Sequence, residues 1–304
     1  MPTAKTILTR IVYGAVMIAV LAGVLLVEYL RPWPQVADID GAPLACVLIV
    51  LCIMGLREFK KMATAAGAGL LGVSAMLGTL AIATLPIWPK FIPVDFVLFN
   101  DFRPLAFVPM MNVQDVLCMI GIIVAAIFLE QMIRYRLDAA LGRIAATVLA
   151  VAYLGVGSAL VLAIRDDFRM GVPGLILFLA AVKGTDIGAY FTGSAIGKHK
   201  LIPWLSPGKS WEGLFGGLAT AAGTSMLVVW AFGMDLSLGA AAAFGAIIGA
   251  IGQFADLCES LLKRSARIKD SASLVPEFGG VLDVVDSPLL AAPAAWVLLN
   301  ILLG

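Results

Sequence analysis

Apolar residues run through this chain in long unbroken blocks separated by short polar or proline-rich segments. They form neither the stripes of an amphipathic helix nor the alternation of a half-buried strand. Blocks lie at 11–30, 42–56, 68–88, 113–133 and 144–164, then at 172–194, 213–232, 238–262 and 281–303. A helix needs roughly 20 such residues to cross a hydrocarbon layer of about 30 Å. The pattern predicts an all-α polytopic membrane protein of about nine transmembrane helices. The second block is short, which predicts a shallowly tilted crossing or an entry from the interface. The first follows Lys5 and Arg10 and lacks an A-x-A site after it, so it predicts a retained helix rather than a cleaved signal peptide.

Composition fixes the solvent. With 61% hydrophobic and 13% charged residues and a mean hydropathy of +1.01, the apolar surface exceeds what a water-soluble core absorbs. A net charge of +1 supplies no global basic field, and no nucleic-acid partner is expected. The charges cluster between the apolar blocks. Placing the N-terminus in the cytoplasm puts fifteen of the 21 Lys and Arg residues in cytoplasmic segments and five outside, with Lys183 inside the sixth block. That bias follows the positive-inside rule, and an odd number of spans leaves the C-terminus outside. Cys46, Cys52, Cys118 and Cys258 form no C-x-x-C pair and His199 is the single histidine, which argues against a zinc site or a disulfide framework.

The chain divides in character near residue 170. Residues 1–170 read as transmembrane scaffold helices, in which Glu58 beside Arg57 and Glu130 before Arg134 are most simply interfacial ion pairs. The proline-containing segment 89–112 reads as a solvated connection. No internal repeat is evident, which weighs against a transporter built from inverted halves. Residues 171–304 read as a catalytic region. Here Lys183, Asp186, Asp256, Glu259, Lys263, Asp283 and Asp286 fall within or at the ends of apolar helices. A charge near the bilayer centre costs on the order of 3 kcal/mol on insertion scales, so such groups face a cavity, a partner or an ion.

Spacing groups them. Asp256, Glu259 and Lys263 share one helical face, as do Asp283 and Asp286, and Lys183 with Asp186. Two aspartates on one face with no basic residue between them predict a cation, and carboxylates beside lysines suit Mg²⁺ holding phosphate oxygens. The alternative is a set of intramembrane salt bridges tying helices together. Between the helices, residues 193–213 combine lysines, serines and glycines ahead of a helix start, a pattern for an anion site around Ser206, Lys209 and Ser210 or for an ordinary positive loop. The segment 263–280 reads as a second loop, carrying Lys263, Arg264, Arg267 and Lys269 and ending in Phe278-Gly279-Gly280.

The run from Ser260 through Lys263-Arg264, Lys269-Asp270 and Gly279-Gly280 to Asp283 and Asp286 resembles the pattern of the phosphatidate cytidylyltransferases, also called CDP-diacylglycerol synthases. Asp186 with Ala189-Tyr190, Gly197-Lys198-His199-Lys200, Ser206-Pro207-Gly208-Lys209-Ser210 and Asp256-Leu257-Cys258-Glu259 resemble the same family. Phe278 stands where that family usually has His, Val284 where it has Arg, and Ala255 where it has Gly, so roles for those side chains do not carry over. The resemblance implies cytidylyl transfer from CTP to phosphatidic acid, giving CDP-diacylglycerol and pyrophosphate. It implies Mg²⁺ on Asp256, Asp283 and Asp286, K⁺ beside it, and catalysis by these residues with Lys263. Asp186, Ser206, Lys209, Ser210, Arg264 and Lys269 are implied substrate contacts. A homodimer in the cell (inner) membrane, with the active site facing the cytoplasm, also follows from it. The rival readings are a transporter and another lipid-phosphate transferase. Of the latter, the CDP-alcohol phosphotransferases carry a D-G-x-x-A-R run that this sequence lacks.

Overall fold

The computed structural model describes residues 23, 24, 26, 41–88, 113–167, 169–268 and 280–303. Nearly all of the first apolar block, the 89–112 connection, Lys269 and Phe278 lie outside them. Eight helices follow in chain order among the described residues. They are α1 (Ala42–Ala65), α2 (Gly72–Ala83), α3 (Val113–Glu130), α4 (Ala140–Asp166), α5 (Gly171–Ile196), α6 (Trp211–Phe232), α7 (Leu238–Ser265) and α8 (Leu282–Leu303). All but α2 are long and apolar enough to cross a membrane. A two-stranded antiparallel hairpin, β1 (Lys200–Ile202) and β2 (Ser206–Ser210), sits between α5 and α6.

Two predicted spans come out differently. The second is not short, since α1 carries on for nine residues past the predicted end at 56. Leu56, Phe59 and Met62 keep its inner face buried while Arg57, Lys60 and Lys61 occupy the exposed one, so a stretch read as loop is helix. The third span contracts to the 12 residues of α2, about 18 Å at 1.5 Å per residue. Its end is marked by Thr84, whose hydroxyl bonds the Leu80 carbonyl at 2.7 Å and accepts from Trp88 Nε1 at 2.9 Å. Pro86 then removes the next helical N–H, and a 3₁₀ turn at Leu85–Ile87 follows.

Lipid chains are as apolar as leucine, so close packing and polar contacts must hold such helices together. Small residues line the seam of α5, α6 and α7. A methyl group at Gly184 would stand 2.6 Å from Thr224 Oγ1, and one at Gly217 would stand 2.8 Å from the Thr185 carbonyl oxygen. Both glycines therefore mark helix approaches too close for any side chain. Two buried apolar clusters complete the packing. One joins Leu44 and Leu48 of α1 and Leu162 of α4 to Phe178, Phe244, Ile248 and Leu299 of α5, α7 and α8. The other joins Leu56, Phe59 and Leu154 to Leu282 and Leu289. Both cross residue 170, so residues on either side of it share cores.

Glu58 does more than sit at an interface. It is 1% exposed, and its two oxygens accept the backbone N–H groups of Val281 and Leu282 at 2.8 Å each, capping the start of α8 from α1. Glu130 does pair with Arg134 at 3.3 Å, as the spacing predicts, and also accepts from Val73 N and Ser74 N to cap α2.

Candidate active site

Polar side chains of α5, the hairpin, α7 and the first turns of α8 gather in two neighbouring groups, one around Lys263 and one that runs from Lys209, Asp256, Ser287 and Asp286 through Gln253 to Asp186 and Lys183. Asp256, Glu259 and Lys263 lie along one face of α7, together with Gln253 a turn earlier. Lys263 Nζ reaches Glu259 Oε2 at 2.8 Å and Asp283 Oδ1 at 2.7 Å, while the second Asp283 oxygen accepts Gly280 N at 2.6 Å. On the neighbouring side, Lys209 Nζ donates to Asp256 Oδ2 at 3.0 Å and to the Gln253 carbonyl at 3.1 Å. Ser287 binds both remaining aspartates: its hydroxyl donates to Asp256 Oδ1 and lies 3.2 Å from Asp286 Oδ1, which also accepts Ser287 N at 2.7 Å. The second group extends onto α5, where Lys183 Nζ meets Asp186 Oδ2 at 3.3 Å and the Val284 carbonyl at 3.1 Å. Gln253 Nε2 donates to Asp186 Oδ1 at 3.3 Å and links this group to α7.

The three lysines share one arrangement. An ammonium group has three donors, and in Lys183, Lys209 and Lys263 two protein acceptors hold the nitrogen. Each thus has one N–H left to give to a ligand. Fixed cations in a membrane-embedded site need little reorganisation when phosphate charge arrives, and electrostatic stabilisation is strongest under that condition.

The profile of the Cytidylyltransferase family matches residues 8–302. The chain belongs to that family. It is similar to the phosphatidate cytidylyltransferase of Pseudomonas aeruginosa, 45% identical over 126 residues, 41% of this chain and 46% of that protein. The Haemophilus influenzae phosphatidate cytidylyltransferase is 44% identical over 128 residues, 40% of this chain and 44% of that protein. The one from Staphylococcus haemolyticus is 36% identical over 156 residues, 51% and 57% of the two chains. The chain thus spans about half the length of the curated relatives it matches.

In this cytidylyltransferase-family chain, the residues predicted from sequence separate into those the fold gathers and those it does not. Asp186, Lys209, Asp256, Lys263, Asp283 and Asp286 all belong to the two groups. Asp283 and Asp286, which the spacing groups on one face, have different partners: Lys263 holds Asp283, and Ser287 links Asp286 to Asp256. Among the described residues no three His, Cys, Asp or Glu side chains converge on a common metal position, so Asp256, Asp283 and Asp286 form no joint cage. Mg²⁺ often takes only one or two carboxylates and completes its shell with substrate phosphates and water. Asp256 and Asp286, joined through Ser287, fit that donor set.

The stretch 193–213 holds the end of α5, the hairpin at 200–210 and the start of α6 rather than a loop. Ser210 ends β2 and caps α6, its buried hydroxyl accepting Gly213 N at 3.1 Å, while Trp211 N donates to the His199 carbonyl at 2.9 Å. Two donors of the expected anion site are therefore engaged inside the protein. The neighbouring His199 Nδ1 and Glu212 Oε1 lie 2.6 Å apart and brace the hairpin against the helix. Ser206 is half-buried at the start of β2. Lys263 and Arg264 stand on the last turns of α7, not in a loop, because Ala266 keeps the face buried until Arg267 adopts a φ of 56°. Arg264 is exposed there, and Lys269 lies outside the described residues.

Sequence reasoning missed Gln253, Ser287 and Glu58. Gln253 precedes Asp256 by three residues on the same face and could have been added from that spacing. Ser287 follows Asp286 directly, but its bridging role depends on where α7 lies. Glu58 is 223 residues from Val281, and no local pattern signals the contact.

Proposed function

We propose that this protein transfers the cytidylyl group of CTP to phosphatidic acid, giving CDP-diacylglycerol and pyrophosphate. The observation that carries the reading is the set of three lysines, each held by two acceptors, two on long apolar helices and Lys209 on the hairpin between them, interleaved with Asp256, Asp283 and Asp286. Family membership and the activity for which the relatives are named support it.

A phosphatidate oxygen attacks the α-phosphorus of CTP. The new P–O bond forms as the bond to the bridging α–β oxygen breaks, and that oxygen leaves with pyrophosphate. Little covalent work falls to the protein, so positioning and charge stabilisation dominate. Lys263, fixed by Glu259 and Asp283, offers its remaining N–H to a phosphate oxygen, and Lys209 does the same beside Asp256. Ser210 acts through the α6 cap that fixes Lys209, Ser206 lies at the other end of the same strand, and Arg264 and Lys269 contribute from the α7 end. Bound at Asp256 and Asp286, Mg²⁺ would supply positive charge to the triphosphate. On this reading the protein lies in the cell (inner) membrane with nine spans, the short α2 and the 3₁₀ turn after it counted as one of them, its N-terminus and active site on the cytoplasmic side and its C-terminus outside, and it works as a homodimer. CTP then reaches the site from water while the lipid phosphate stays at the interface.

The test is incubation of purified protein with labelled CTP, phosphatidic acid and Mg²⁺, with and without chelator, followed by lipid extraction. Label in a CDP-lipid that vanishes with chelator is the expected result, and replacing K⁺ by Na⁺ tests the second cation. Folded protein that yields no labelled lipid overturns the reading in favour of transport or another lipid-phosphate reaction.

A further inference from the structure

Helix α8 carries two internal prolines, Pro288 and Pro293. Each lacks the N–H that would bond the carbonyl four residues earlier, so the carbonyls of Val284 and Leu289 are released from the helix ladder. The two are used differently. Against the Leu289 oxygen lies Gly157 of α4, where an added methyl group would stand 2.6 Å away, so this carbonyl is covered by close helix packing. The Val284 oxygen instead accepts Lys183 Nζ at 3.1 Å. Lys183 stands near the middle of the 26-residue α5, about 20 Å from either end at 1.5 Å per residue, a depth at which an ammonium group needs strong partners. Its side chain is nevertheless 43% exposed, so its ammonium group is not sealed inside the packed helices.

We infer that Pro288 is a positioning residue for Lys183, and that Lys183 is a phosphate-binding group of this site. The inference rests on the cytidylyl-transfer reading above. By freeing the Val284 carbonyl, Pro288 supplies a neutral acceptor within the catalytic network, one residue after Asp283 and two before Asp286. Asp186 supplies the second acceptor, from the same helix as the lysine. A neutral carbonyl orients the ammonium group without cancelling its charge, which a second carboxylate would do. The remaining N–H points the charge at a phosphate oxygen, of CTP or of phosphatidate.

The test is a double-mutant cycle in the full chain, with KM and kcat measured separately for CTP and for phosphatidate and thermal unfolding recorded alongside. Lys183→Met is expected to raise the KM for one of the two substrates about tenfold, the range of a hydrogen bond to a charged group, and the substrate affected identifies the phosphate. Lys183→Arg is expected to recover part of that loss. Pro288→Ala restores the N–H that reclaims the Val284 carbonyl; it should raise the same KM several-fold while leaving the unfolding temperature equal or higher, because alanine suits a helix interior better than proline. In the Lys183→Met background Pro288→Ala should have no further effect, since the proline acts through the lysine. The inference is overturned if Pro288→Ala leaves both KM values within twofold of the parent, or if it costs the same factor in both backgrounds. Failure of the underlying reading is separate: parent protein that makes no labelled lipid fails before any variant is compared.

Discussion

Buried polar groups are used in opposite ways on the two sides of this molecule. In α1 to α4 several serve the backbone. Glu130 caps α2, Glu58 caps α8, the Thr147 hydroxyl accepts Leu71 N at 3.0 Å, and Ser74 Oγ donates to the Ala126 carbonyl. In α5 to α8 the side chains hold one another, with five carboxyl groups, from Asp186, Asp256, Glu259, Asp283 and Asp286, set among the ammonium groups of Lys183, Lys209 and Lys263. A backbone cap turns a carboxylate toward the N–H groups of a helix start. A carboxylate–ammonium network with donors to spare and an excess of acid has the chemistry that the proposed reading asks of it, toward phosphate and a divalent cation. The difference separates scaffold from chemistry more sharply than the mere presence of charge, since both regions contain buried glutamates.

The largest effect that would sharpen this contrast is expected from Asp256→Asn. The substitution keeps the shape but removes a charge that Lys209 and Ser287 both address. Labelled-lipid formation should fall about a thousandfold, the upper range for removing one preorganised electrostatic group, while the helical circular-dichroism spectrum stays unchanged. If the Asp256→Asn enzyme keeps more than a tenth of parental activity, the assignment of this side to chemistry breaks.

Glu58→Gln probes a residue that reaches from one side to the other. An amide has a single acceptor oxygen, so one of the N–H groups of Val281 and Leu282 is left unpaired in a buried place, costing about 1–3 kcal/mol. Because Asp283 follows immediately and is itself fixed by Gly280 N, the loosened helix start should also lower kcat about tenfold. Thermal unfolding and the labelled-CTP assay on the same preparation check both, and loss of stability with unchanged kcat would return Glu58 to the scaffold.

How much of this was legible before the fold was known depends on how far each contact reaches along the chain. The apolar blocks that became α3 to α8 were readable because a span is a local property. The faces carrying Asp256, Glu259 and Lys263 were readable for the same reason, since helical spacing needs no neighbour. What failed was tertiary. The window that ended the second block at 56 averaged Arg57, Lys60 and Lys61 into a polar stretch, although the face bearing Phe59 and Met62 stays buried. Asp283 and Asp286 looked like a repelling pair because Lys263, on another helix, was not in view. Pro288 gave a local signal, a helix proline, without saying which group would take the freed carbonyl.

Ser287→Ala offers a smaller effect that tests whether the network is more than its charges. The hydroxyl is the link between Asp256 and Asp286, and both carboxylates survive its removal. Activity should fall about tenfold, corresponding to roughly 1.4 kcal/mol, with the apparent affinity for Mg²⁺ weakened because its two ligands are no longer held together. Titrating activity against Mg²⁺ separates this from a general loss: higher saturating Mg²⁺ should recover much of the rate. A rate that stays low at every Mg²⁺ concentration would show that Ser287 acts on substrate rather than on the carboxylate pair.

Glu130→Gln should have the smallest effect, and it is the control that gives the comparison its meaning. Glu130 resembles Glu58 closely: it is 8% exposed, lies near the end of its helix, and accepts two consecutive backbone N–H groups at the start of another helix. It differs in what its cap supports, since α2 is the short helix and carries none of the network, whereas α8 carries Asp283, Asp286 and Ser287. Removing the charge weakens the bonds to Val73 and Ser74 and the ion pair with Arg134, whose side chain is largely exposed and adds little. About 1 kcal/mol of stability should be lost, as for an ordinary helix cap, with kcat and both KM values unchanged. If Glu130→Gln lowers kcat as Glu58→Gln does, then the two glutamates do not divide by what they cap. The active site would then depend on the packing of the whole bundle rather than on the placement of one helix start.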